Sequence, residues 1–263
     1  GLYNVADNRQ AALETLLLKR STRFARVPRD IGPLDEFARW SAHRAGPPPL
    51  SGFHHCPFLG LIGSQRGRVG CLLHPFASGN RGVDLRGLSY YGSFTCRTYF
   101  CEASRSLAGR YQALIKNLFD HWHPYGLVVT ETRLVTLLLE AVETRLGGRI
   151  APETIGADRM ARNALRRLLG LKIQWPWRQK SHRNTARIHY LFNDGLHQRP
   201  SPCGASVRLR YANIHRELFS QFDGQEQEDE ACLRLDAAIT DAAAALRGHP
   251  YPLPEEASRH AAP

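Results

Sequence analysis

Apolar residues recur at intervals of three and four along most of the chain, which is the period of an amphipathic helix and not the alternation of a half-buried strand. Ala11, Leu13, Leu16, Leu17, Phe24 and Val27 set out a first helical face, which Asp7 can cap and Pro28 stops. Leu34, Phe37, Ala38 and Ala42 predict a second helix to about Arg44, followed by a stiff Gly46-Pro47-Pro48-Pro49 linker. A third run, Leu107, Tyr111, Leu114, Ile115, Leu118, Phe119 and Trp122, is expected to break at Trp122-His123-Pro124-Tyr125-Gly126. Thr130 and Glu131 then open a helix whose Leu134, Val135, Leu137, Leu138, Leu139, Val142 and Leu146 cover more than one stripe. It is the expected central buried helix, ended by Gly147-Gly148.

Further helices are predicted from Pro152 or Asp158 to Leu171, from Val207 to Phe222 and from about Glu226 to Arg247. In the last, Cys232, Leu235, Ile239, Ala242 and Leu246 share a face, and the acidic run Glu226, Glu228, Asp229 and Glu230 suits a helix N-terminus. Residues 248–263, rich in Pro, Ala, His and charge, read as a disordered tail. No internal repeat is present. The expected fold class is mainly α: a single domain over 1–247, with N-terminal helices in 1–45, a Gly/Cys-rich irregular segment over 52–103 and a helical scaffold from 104 onward.

That irregular segment is where the helical pattern fails. Gly52, Gly60, Gly63, Gly67, Gly70, Gly79, Gly82, Gly87 and Gly92 favour short strands and tight turns. Four of the six cysteines, Cys56, Cys71, Cys96 and Cys101, fall within it. Four thiolates are what a tetrahedral zinc or an iron-sulfur cluster requires, because thiolate sulfur is a soft anionic donor. These four are therefore the expected metal ligands, with His54, His55 and His74 beside them as secondary candidates. Spacing leaves zinc and iron-sulfur undecided: two Cys-x-x-Cys knuckles are absent, while the apolar Phe58, Leu59, Leu72, Tyr99 and Phe100 suit a cluster or an ordinary core. Cys203 and Cys232 have no partner at ligand spacing and read as loop and core, and His121 and His123 as helix-end residues.

The strings Cys56-Pro57-Phe58-Leu59, Cys71-Leu72-Leu73-His74-Pro75 and Cys96-Arg97-Thr98-Tyr99-Phe100-Cys101 resemble the YkgJ-like zinc- or iron-chelating family over about residues 54–103. The resemblance implies metal chelation in a structural or electron-carrying role, with a redox partner in the second case. It departs from the family pattern in lacking an early cysteine cluster and in a long insert between Cys71 and Cys96. The only methionine is Met160, so the chain is expected to be a fragment or processed product that begins after such a cluster.

Charge opens a second reading. The net charge is +11, and Arg159, Arg162, Arg166, Arg167, Lys172, Arg178, Lys180, Arg183 and Arg187 fall in a span that also holds Trp175, Trp177 and Tyr190. Arg159, Arg162 and Arg166 share a helix face, and the tryptophans could stack on bases, so segment 159–190 is an alternative nucleic-acid contact through Arg159, Arg162, Arg166, Arg167, Trp175 and Trp177. Catalysis has no motif to support it: Gly79-Asn80-Arg81-Gly82 lacks the Lys-Ser/Thr of a P-loop, and no nucleophile elbow occurs. No window is apolar enough for a membrane span, and the start lacks a secretory pattern, so a cytoplasmic location is expected. There a cysteine cluster favours metal over disulfide.

Overall fold

The computed structural model describes residues 1–49, 54–63, 67–89, 92–98, 100–153, 158–179 and 211–247. They form a mainly α protein with one two-stranded sheet. The elements in order are α1 (Gln10–Phe24), α2 (Ile31–Ala45), β1 (Leu59–Ile62), β2 (Arg68–Cys71), a 3-10 turn (Arg86–Leu88), α3 (Gly92–Thr98), α4 (Glu102–Ser106), α5 (Gly109–Leu118), α6 (Trp122–Val129), α7 (Thr132–Leu146), α8 (Arg159–Gln174), α9 (Ala212–Glu217) and α10 (Gln225–Leu246). The chain divides into two compact units, of which the first is Gly1–Cys101 with His121–His123.

In the first unit, α1 and α2 pack with an antiparallel hairpin in which Leu59 pairs with Cys71 and Ile62 with Arg68. Its apolar centre is Phe24, Leu34, Phe37, Phe58, Leu72 and Leu73, with Phe24 edge-on to Phe37 at 5.2 Å and Phe37 stacked on Phe58 at 5.7 Å. Ser21 joins helix to hairpin: its Oγ accepts the Leu61 N–H at 2.7 Å and lies 2.9 Å from the Leu61 carbonyl. Gly60 is required beneath it, since a Cβ there would stand 2.6 Å from Ser21 Oγ and 2.8 Å from Leu72. Pro57 is fixed by Ser41, whose hydroxyl donates to its carbonyl at 2.7 Å.

The described residues of segment 52–103 are held by protein groups, and no metal site organises them. Buried Asn80 donates to the Leu72 and His74 carbonyls, each at 2.8 Å, and accepts from Arg29 Nε at 2.8 Å. Asp84 gathers Arg86 at 2.7 Å and Arg97 at 3.1 Å, tying α3 to the turn before it.

In the second unit α7 lies in a large core with α5, α8 and α10, lined by Leu114, Leu138, Leu139, Leu165, Leu168 and Leu235 among others. Gly147 ends α7 in the left-handed conformation at φ 74°. The Asp158 carboxylate caps α8 by accepting the Met160 and Ala161 N–H groups at 2.7 and 3.2 Å. Lys172 and Glu131 form a fully buried ion pair at 2.6 Å, and Arg178, also buried, donates to the Lys172 and Leu218 carbonyls.

Three expected boundaries move. The break at 122–126 is instead the start of α6, because Pro124 falls in its first turn, where the missing N–H has no intrahelical partner to lose. Within 207–222 the described helix is only Ala212–Glu217: Phe219 at φ 57° turns the chain so that Ser220 bridges to Arg178. The first helix starts at Gln10, and Asp7 ties the turn before it by accepting the Arg9 N–H at 3.1 Å. The tail 248–263 lies outside the described residues.

Candidate functional site

The four-cysteine metal site is not formed. Among the described residues no group of three or more His, Cys, Asp or Glu side chains is arranged to hold a metal ion, and none of the five described cysteines is in a disulfide. Cys56 and Cys71 pack against the aromatic core of the first unit. Burial pushes the Cys56 thiol up to about 11, with the Cys71 and Cys96 thiols adding to the push, and burial likewise raises Cys71. At neutral pH both are protonated thiols packed as small hydrophobes. Cys96 Sγ lies 3.1 Å from the Ser89 hydroxyl, and Cys101 is exposed. The zinc or iron-sulfur reading is therefore withdrawn. Of the apolar neighbours of the cysteines, Phe58 and Leu72 belong to the core of the first unit, Phe100 is exposed, and Tyr99 lies outside the described residues.

His55 and His74 are also committed elsewhere. His55 Nε2 lies 2.7 Å from the Arg20 guanidinium, which can only donate, so Nε2 accepts and Nδ1–H donates to the Gly1 carbonyl at 2.9 Å. Burial, helped by Arg20, holds His55 down to about 3, which keeps it neutral. Arg20 itself is 0% exposed, gives a second bond to the Ser41 carbonyl at 3.1 Å and faces no carboxylate among the described residues. Burial lowers His54 as well. His74 accepts the Phe76 N–H at 3.2 Å and turns its ring toward Phe76.

The arginine-tryptophan segment is largely consumed by the second unit. Arg162 and Arg166 both pair with Asp120, the latter at 2.8 Å, and Arg166 also donates to the Leu118 carbonyl. Trp175 is 4% exposed and donates its indole N–H to Ser220 at 2.8 Å, while Trp177 packs against the core. Arg159 and Arg167 stay exposed on α8. Lys180, Arg183, Arg187 and Tyr190, with Cys203, lie outside the described residues.

A different surface of the first unit carries unspent charge. An open cleft of about 720 Å³ runs between α1 and α2, with Val27, Pro28, Pro33 and Phe37 toward its apolar floor. Lys19, Arg23, Arg26 and Arg44 line it against one carboxylate, Glu36. A second hollow of about 430 Å³ shares Lys19, Trp40 and Arg44 and adds Arg9, whose guanidinium is already paired with Asp7 at 2.6 Å. Lys19 and Arg23 lie four residues apart on α1, with Arg26 in the turn that follows it, and Pro33, Phe37, Trp40 and Arg44 recur at four, three and four residues on α2, so each helix turns one ridge to the cleft. The Arg23 guanidinium sits over the Trp40 ring, 4.5 Å from its centroid, and its side chain stays 44% exposed. Its contact with Glu36 is long, at 3.9 Å, and no carboxylate among the described residues pairs with Lys19, Arg26 or Arg44. Sequence reading passed over this site because its cations are spread over two helices; the shared three-and-four spacing beside Trp40 is the signal that could have found it.

Searches against family models, curated proteins and solved structures return no match to the chain. No helix among the described residues is long and apolar enough to cross a membrane.

Proposed function

We propose that this chain is a nucleic-acid-binding protein whose contact surface is the basic cleft between α1 and α2, and not segment 159–190. The observation that supports this most is the Arg23–Trp40 stack, set in an open cleft where four cations meet one carboxylate. Stacking holds the guanidinium fork in place before a ligand arrives, so less side-chain freedom is lost on making a bidentate phosphate contact. The net charge of +11 supplies the long-range attraction that brings a polyanion to such a surface. A cytoplasmic location suits this role.

The reading is tested with the full chain and a fluorescently labelled oligonucleotide followed by anisotropy. Reversing Arg23 and Arg26 together (Arg23→Glu, Arg26→Glu) lowers affinity by about tenfold or more at 50 mM salt and flattens the salt dependence, since each lost phosphate contact removes about one unit of slope. Reversing the exposed Arg159 and Arg167 leaves affinity within about threefold. The opposite ranking of the two double variants, or no binding by the unaltered chain at low salt, overturns the proposal.

A further inference from the structure

Resting on that reading, we infer that the cleft takes single-stranded nucleic acid in preference to duplex. A duplex shows a protein surface mainly phosphates and groove edges, with its base faces hidden in the stack. A single strand shows both a charged backbone and open apolar base faces. The cleft has both matching parts: a cationic rim of Lys19, Arg23, Arg26 and Arg44, and an apolar floor that includes Val27 and Phe37. A rod of phosphates would satisfy the rim and leave the floor unmatched. Packed helices stand only about 8–10 Å apart, so a chain of single nucleotides can lay its bases toward the floor while a duplex spans the ridges.

The Arg23–Trp40 stack supplies the platform. Bases stack on aromatic rings and on guanidinium planes alike, and Arg23 lying over Trp40 offers a plane backed by an aromatic ring, which itself lies against Phe37 at 5.6 Å. The second hollow continues the path past Trp40 along α1 toward its N-terminal end, and the 15 residues of that helix span roughly 22 Å at the helical rise. That length accommodates several nucleotides. Nothing in it reads base identity, so the expected binding is tolerant of sequence.

The test compares a labelled oligothymidylate, a duplex of equal length, inorganic polyphosphate and vesicles rich in anionic lipid, all against the full chain in the same buffer. Two substitutions separate plane from charge. Arg23→Lys keeps the cation and removes the plane, and Trp40→Leu removes the backing ring, with a thermal melt to confirm that each variant folds. The inference expects the single strand to bind about tenfold more tightly than the duplex, and both variants to lose about tenfold for the single strand and no more than about threefold for polyphosphate, which has no bases to stack. Equal affinity for single strand, duplex and polyphosphate, with Arg23→Lys silent, overturns the single-strand inference and leaves the nucleic-acid reading standing. Binding to vesicles alone, or to none of the four, overturns both.

Discussion

The buried pair Lys172–Glu131 allows a test of how the second unit balances charge. The two side chains meet at 2.6 Å with exposures of 4% and 0%, and Arg178 is a second buried cation close by. Burial lowers Arg178, and the attraction of Glu131 opposes that shift, so one carboxylate faces two cations. Replacing Lys172 with Met, of similar length, leaves Glu131 still facing Arg178. Replacing Glu131 with Met removes the carboxylate that both cations face. Breaking a buried pair costs about 3–5 kcal/mol, so Lys172→Met belongs near the lower figure and Glu131→Met near the upper. The double variant strands only Arg178, which keeps its carbonyl acceptors, and should cost no more than Glu131→Met alone. The cycle then returns a coupling of about 3 kcal/mol. Urea denaturation followed by tryptophan fluorescence measures all four proteins, and an unchanged slope confirms that the comparison is one of stability. Lys172→Met costing as much as Glu131→Met would refute the role given to Arg178, and additive single costs would refute the pair.

Other consequences are more local. Gly60→Ala forces a methyl to 2.6 Å from Ser21 Oγ and 2.8 Å from Leu72, and is expected to cost about 1–3 kcal/mol by chemical denaturation; a neutral result would show that α1 can lift from the hairpin. Asp158→Ala removes the cap of α8 and should cost about 1 kcal/mol, with Asp158→Asn recovering most of it in the same assay. His55 is held down to about 3 in the fold against about 6.5 when unfolded, so its contribution is present above pH 6.5 and is lost as pH falls toward 3. Between pH 6.5 and 5 that amounts to about 1.5 kcal/mol, and His55→Gln should flatten this part of the stability profile; an identical slope in wild type and variant contradicts the assignment. Thiol labelling at pH 8 should modify exposed Cys101 well before Cys56, whose thiol burial pushes up to about 11, and equal rates would argue against the packing of Cys56 in the core.

How far the sequence predicted these features depended on whether the deciding signal was local. Helix α7 was readable because its apolar residues repeat within one segment and Gly147 follows at the point where a left-handed residue is needed. Asp158 was readable as a helix start for the same reason, its acceptors being two and three residues away. Pro124 misled because proline stops a helix from its interior yet opens one from its first turn, and spacing alone does not say which turn it occupies. The end of α9 depends on Phe219 at positive φ and on a bridge to Arg178, some forty residues earlier, which no local pattern reveals. The cysteines misled differently. Their grouping along the chain suggested ligands, while Phe58 and Leu72 beside them indicated a core, and the fold packs Cys56 and Cys71 against that core and leaves Cys101 exposed.

Positive charge along a sequence counts potential contacts, and what remains for a partner is what the fold leaves unpaired. Segment 159–190 is the denser in arginine, yet Asp120 takes two of its guanidiniums, main-chain carbonyls take Arg178, and Ser220 takes the indole of Trp175. Helices α1 and α2 carry fewer cations per residue. There the apolar faces are spent on Phe24, Leu34, Phe37 and Phe58, Ser21 spends its hydroxyl on the hairpin, and the cleft-facing Lys19 and Arg44 meet no carboxylate among the described residues. Arg23 rests on a ring and reaches an acid, Glu36, only at 3.9 Å. A cation resting on tryptophan keeps its charge and its donors, whereas one held by a carboxylate has both engaged. This difference in partner, and not in the number of arginines, makes the α1–α2 cleft the better binding surface.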